Sequence, residues 1–149
     1  RLDLTVNILT NHAVNKGVIT VFGGTQKRPF THIEDITDLY VKMLEYPDKK
    51  IAGKIFNAGD ETISVMDVAH LVKKVVGNNV KIVKTPTDDN RSYRANAQKI
   101  RKELGWKPKK NVEDAIRDLV KAFKDGKLSN SLEDPIYFNI KTMQKLKLK

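Results

Sequence analysis

Two stretches of this chain repeat one pattern: an amphipathic segment, a glycine, then a β-branched run. Val6, Leu9, Ala13 and Val14 recur at helical spacing up to Lys16 and Gly17, and VITVF (18–22) follows. Val68, Leu71, Val72, Val75 and Val76 form a second stripe up to Gly77, and VKIVKT (80–85) follows. Strands that alternate with helices restrict the chain to an α/β architecture.

The rest of the pattern fits between these units. Ile36, Leu39, Tyr40, Met43 and Leu44 predict a helix with Asp35 as its N-cap and Pro47 as its stop. KIFNAG (54–59) reads as a short buried strand closed by a glycine turn. Ser64 with Asp67 makes a capping-box start for the second stripe. The loop PTDDNRSYRAN (86–96) leads into a helix carrying Ile100 and Leu104, stopped by Gly105 and Pro108. Asn111 caps a last helix with Ile116, Leu119, Val120 and Phe123 inward, ending at Gly126. From Lys127 the chain is polar and is expected to be irregular, with Ile136, Tyr137 and Phe138 as a docking patch. The 149 residues suit one domain, and because the chain opens on Arg1 inside an apolar-periodic segment it reads as a piece of something longer.

Charge raises a second possibility. Lys and Arg outnumber Asp and Glu 28 to 18, for a net charge of +10, yet aromatics are only 7% of residues. Nucleic-acid readers interleave arginines with aromatics, so a solvated basic surface is expected rather than specific nucleic-acid binding. The absence of Cys excludes disulfides and thiolate metal sites and fits a cytoplasmic protein. No stretch approaches the ~20 apolar residues of a membrane span, no signal peptide is visible, and no membrane partner is expected.

Few residues can carry chemistry. His12, His32 and His70 share no ligand spacing, so no metal site is expected. There is no G-x-S-x-G elbow and no Walker loop, and Gly23–Gly24 with the lone Gly59 do not make a G-x-G-x-x-G cradle. Tyr46–Lys50 and Tyr137–Lys141 match Tyr-x-x-x-Lys, but Pro47 interrupts the first and the second falls in an expected loop, so neither is read as catalytic. Arg28 and Arg91 are different: each is an arginine in a lysine-rich chain, in a loop, with the planar fork that suits phosphate. Two readings stand for them, a phosphate ligand or an ion pair with Asp88, Asp89 or Glu34.

ITVFGGTQKRPFTHIEDI (19–36) resembles the segment of extended short-chain dehydrogenase/reductases in which G-x-G-x-Q-x-R-[D/P]-F-x-H-V-x-D precedes a helix. GKIFNAGDETISVMDVAHLV is similar to their next strand, Asn-x-Gly turn and helix, and DDNRSYRANAQKIRKELGWKPKKNVEDAIRDLV to their closing D-x-R … K-x-x-x-L-G-W-x-P segment. The match runs in order over about residues 1 to 125 and points to the NAD-dependent nucleotide-sugar epimerases and dehydratases of the UDP-glucose 4-epimerase type. The resemblance implies that Arg28 grips the substrate diphosphate, Phe22 packs against the nucleobase, Asn7 lies in the substrate helix and Arg91 is a second ribose or phosphate contact. Asn57 and Gly59 would shape the turn beneath the site, and His32 would be structural. Pro29, where many members have Asp, and Asn96, where Asp is frequent, leave the sugar open.

The same resemblance implies a substrate-binding domain over 1–125, with a segment near 35–60 that completes a Rossmann sheet, and a basic tail over 126–149. The family's glycine-rich NAD loop and catalytic Tyr-x-x-x-Lys would lie upstream of Arg1. NAD would then belong to the absent half, this part would be inactive alone, and the intact enzyme would be a homodimer. The alternative from another class is a non-catalytic nucleotide or polyanion-binding module built on the same arginines.

Overall fold

The computed structural model describes residues 1–59, 61–89 and 91–147. Helix α1 (Thr5–Lys16) leads through Gly17 into β1 (Val18–Phe22), and α4 (Val65–Val76) leads through Gly77 toward β4 (Lys81–Thr85). The two helix–glycine–strand units lie side by side, because β1 and β4 pair in parallel from Val18↔Lys81 to Phe22↔Thr85. Alternation along β1 sends Ile19 and Val21 inward, both wholly buried. They meet Val6, Leu9 and Ala13 of α1, Val68, Ala69 and Val72 of α4, and Val112 and Ile116 of α6 (Val112–Lys124).

A second apolar cluster is separate. Leu39 of α2 (Ile33–Met43) packs with Ala97, with Ile100 and Leu104 of α5 (Gln98–Leu104), and with Trp106. Tyr46, Phe56 and Ile51, from the short α3 (Asp48–Ile51), close it from one side.

Four expectations change. Asp35 is not the N-cap of α2; His32 is, its Nδ1 accepting from the Glu34 N–H at 3.2 Å. Asp35 is buried one turn further in, where its carboxylate accepts from the backbone N–H groups of Lys109 (2.9 Å) and Lys110 (3.0 Å). A carboxylate just before a helical run looks like a cap, but these partners come 74 and 75 residues later.

KIFNAG forms no strand, since a strand requires a neighbour and none of the described strands runs beside it. An antiparallel pair stands instead between β2 (Lys27–Phe30) and β3 (Glu61–Ser64), in register from Lys27↔Ser64 to Phe30↔Glu61. With only four residues, one of them Pro29, β2 gives little β pattern; a two-stranded ladder tolerates the proline because each strand keeps an unpaired edge.

The tail is not irregular. A 3₁₀ turn (Pro135–Tyr137) precedes α7 (Asn139–Lys145). It is fastened to the start of the chain by Ser131, whose hydroxyl donates to Asn11 Oδ1 (2.7 Å), and by the Tyr137 carbonyl, which accepts from the Leu2 N–H (2.8 Å). Of the expected docking patch, Ile136 stays in solvent.

Candidate functional site

The turn after β1 is held by its own side chain. Gln26 accepts from the Gly24 N–H through Oε1 (2.6 Å) and donates from Nε2 to the Phe22 carbonyl (2.7 Å). Gly23 and Gly24 take φ values of 70° and 104°, which favour glycine. A Cβ on Gly23 would stand 2.5 Å from Thr87 Cγ2, so the turn is packed against the start of the 86–96 loop.

That loop then runs alongside β2. The Lys27 N–H donates to Ser92 Oγ (2.8 Å), and the Tyr93 N–H donates to the Lys27 carbonyl (3.2 Å). These bonds bring Arg28 and Arg91 together. Arg28 is 16% exposed, donates to the carbonyls of Lys27 (3.0 Å) and Arg91, and lies 5.0 Å above the centre of the Tyr93 ring. Its NH2 is 3.7 Å from Asp89 Oδ2. Arg91 grips the same carboxylate with both prongs, Nε to Oδ1 at 2.7 Å and NH2 to Oδ2 at 2.8 Å, while remaining 83% exposed. Those bonds hold the Asp89 carboxyl far below its usual range and raise Arg91 above its own. Of the carboxylates offered as partners, Asp89 takes both arginines; Glu34 pairs with Lys110 Nζ at 2.7 Å.

Asn7 and Phe22 share no hydrogen bond with this pair. Asn7 donates to the Arg1 carbonyl (2.8 Å) on the wall of a cleft of about 950 Å³ lined also by Thr31, His32, Lys110 and Asp118. Phe22 projects from the end of β1, 57% exposed. The cleft's polar rim is one network: His32 Nε2 lies 3.2 Å from Asp118 Oδ2, which lies 3.3 Å from Lys110 Nζ. Because Nδ1 of His32 accepts the Glu34 amide, Nε2 carries the proton toward Asp118 and the imidazole serves the fold. Lys110 is pushed up chiefly by Glu34, with Asp118 adding to it.

The remaining candidates take structural parts. Gly59 sits between Pro29 and Ala95, where an added Cβ would meet each at 3.4 Å. Asn57 donates to the Asn96 carbonyl at 3.4 Å, and Asn96 Oδ1 accepts from the Gln98 N–H (2.9 Å) at the start of α5. The Tyr46 hydroxyl donates to the Leu104 carbonyl (2.9 Å) and so serves the second apolar cluster. Among the described residues no three His, Asp or Glu side chains form a group that could hold a metal. Tyr93 is the site residue least visible beforehand; the one hint is that it follows Arg91 by two, the spacing that shares a face in extended chain.

The fold and its order of elements occur in known enzymes. The structure of a UDP-glucose 4-epimerase with UDP-glucose from Thermotoga maritima superposes with a TM-score of 0.71 at 23% identity, over 83% of this chain and 40% of that one. A dTDP-glucose 4,6-dehydratase from Bacillus anthracis, in complex with NAD, gives 0.70 at 18% identity, over 88% and 42%. The fold is therefore the α/β fold of these enzymes, matched over about two fifths of their chains. In sequence, a UDP-glucose 4-epimerase of Lactobacillus helveticus is 32% identical over 124 residues, 76% of this chain and 38% of the relative. Residues 3–119 match the GDP-mannose 4,6 dehydratase family, and the chain belongs to it. It spans about two fifths of the length of these relatives, 38% to 42%.

Proposed function

We propose that this chain is the substrate-binding part of an NAD-dependent nucleotide-sugar epimerase or dehydratase, and that Arg28 and Arg91 hold the diphosphate of its substrate. The observation that carries this is the sharing of Asp89. Two guanidinium groups face one carboxylate, so one positive charge stays locally unmatched. Tyr93 and the Arg91 carbonyl fix the Arg28 fork in place before any ligand arrives. A diphosphate, with more charge and more acceptor oxygens than a carboxylate, would replace Asp89 between the arginines. Phe22, exposed at the end of β1, is proposed to meet the nucleobase, and Asn7 the far side of the substrate.

NAD does not fit the residues present. A dinucleotide cradle needs free backbone N–H groups at a helix N-terminus. Here the Gly23 N–H donates to the Thr85 carbonyl (2.8 Å), the Gly24 N–H to Gln26, and the turn enters a strand. We assign NAD to a part of the intact enzyme outside this chain. Tyr40, Val41 and Leu44 leave an exposed apolar side on α2, with Ile55 exposed as well, and that part would cover them. Residues 1–125 would then be the substrate domain, with 35–60 completing the neighbouring sheet, and the intact enzyme would be a cytoplasmic homodimer.

Calorimetric titration of this chain with UDP, dTDP, GDP and NAD tests the reading. We expect a nucleoside diphosphate to bind and NAD to give no heat above buffer. NAD binding as tight as that of the diphosphates would overturn the assignment.

A further inference from the structure

Residues 120–149 lie beyond the family match, which ends at 119. They include a helix with a bare apolar side: on and beside α7, Ile140, Met143 and Leu146 are 69%, 46% and 61% exposed. Steps of three residues keep them within one arc of the helix. Thr142 turns the other way, its hydroxyl donating to the Pro135 carbonyl, while the Lys141 ammonium lies 4.4 Å above the Phe138 ring. Lys141, Lys145, Lys147 and Lys149 supply four positive charges in residues 139–149, and that stretch holds no acidic residue. The base of the helix is fixed to the body, where Asp3 Oδ2 accepts from the Asn139 N–H at 3.0 Å.

We propose that α7 is an interfacial element that docks this chain on an anionic lipid surface. Ile140, Met143 and Leu146 would enter the boundary between headgroups and acyl chains, and the lysines would face the headgroup phosphates and carboxylates. Two features favour lipid over a protein. The apolar arc projects outward on a helix of two turns, which a deformable apolar medium can envelop without a matching groove. Four lysines with no acidic residue among them fit a continuous anionic field better than a few placed carboxylates. A second copy of the chain would bring like charges together. The sequence lacks a membrane span, the ground for expecting no membrane partner, but an interfacial helix needs no span.

The test is sedimentation of the full chain with phosphatidylcholine vesicles, with and without phosphatidylserine. A chain of net charge +10 is drawn to any anionic surface, so the apolar arc must be tested separately. We expect binding only to the anionic vesicles, and a drop of about tenfold or more in the variant Ile140→Ser/Met143→Ser/Leu146→Ser. Ile140→Trp should show a blue-shifted emission on the same vesicles, a readout that holds even if the triple variant folds poorly. The proposal is overturned if the wild type ignores anionic vesicles at low salt. It is equally overturned if the triple variant binds like wild type, or if Ile140→Trp emission stays unshifted. Arc-dependent capture by polyglutamate without vesicle binding would overturn it in favour of an acidic protein.

Discussion

The two apolar clusters of this chain are built to different standards of closure. In the β1–β4 cluster, strands, α1, α4 and α6 cover one another, and Ile19, Val21, Val68, Val72 and Ile116 are fully buried. In the α2–α5 cluster, one side packs on Ile100 and Trp106 while Tyr40, Val41 and Leu44 face outward. The same α2 is therefore amphipathic twice over, with an inner stripe matched inside this chain and an outer one that is not. The first cluster explains how these residues fold. The second leaves an apolar side of α2 in solvent, which the proposed reading assigns to contact with another part of the enzyme.

The comparison breaks most visibly under truncation. Ile116→Ala in the closed cluster should cost about 2 to 5 kcal/mol, the range for deleting a buried aliphatic side chain that leaves a cavity. Leu44→Ser on the open side should change stability by no more than about 0.5 kcal/mol. Denaturant melts of both variants check this, and equal losses would mean that the open side is not open in solution.

A smaller effect is expected at the seam. Asp35→Asn should lose about 1 to 3 kcal/mol, because an amide offers one acceptor where the carboxylate serves two backbone N–H groups in a buried place. The loss should appear in the same melts and be accompanied by faster amide exchange at Lys109 and Lys110.

Ser64→Ala should lose about 1 kcal/mol by removing the α4 capping box, in which Ser64 Oγ accepts the Asp67 N–H at 3.0 Å. Asp67 adds a pH dependence of known sign. Its hydrogen bonds to Ser64 lower its carboxyl in the fold below the ordinary 3.8. The contribution is thus complete above that value and fades as pH falls through the lower folded one. The side chain faces solvent, so the effect is small, and it should shrink on the acid limb of the melt in Ser64→Ala, which loses the hydroxyl bond and keeps the residue-64 N–H to Asp67 Oδ2 (3.1 Å).

The smallest effect on stability is the most telling for the open side. Tyr40→Ser/Leu44→Ser should leave the melt almost unchanged and reduce self-association at high concentration, as read by sedimentation velocity. Association that persists would place the sticky surface elsewhere.

Legibility in the sequence followed the same division. The elements α1, β1, α4, β4 and α6 announce themselves because their periodicity is enforced by a core that lies inside the chain. KIFNAG carries a strand's pattern, and its backbone finds no strand to pair with. Strands β2 and β3 were invisible because each is four residues long and their pairing, Pro29↔Thr62 included, depends on closure between distant segments. Arg28 and Arg91 could be picked out by chemistry and Asp89 named among three carboxylates open to them, but not that one carboxylate faces both. Asp89 reaches Arg28 only because Ser92 and Tyr93 pin the loop to Lys27, and no local pattern encodes that contact.

The central claim is that Arg28 is preset to hold a diphosphate, and nucleotide binding by its variants tests it most directly. Arg28→Ala should weaken nucleoside-diphosphate binding by about 2 to 3 kcal/mol, roughly 30- to 150-fold, through loss of a charge-assisted pair in a partly desolvated place. Arg28→Lys should recover only part of this, since the ammonium keeps the charge and loses the fork. If both variants bind the diphosphate as tightly as the wild type, Arg28 is an ion-pair residue for Asp89 and the proposed site is elsewhere.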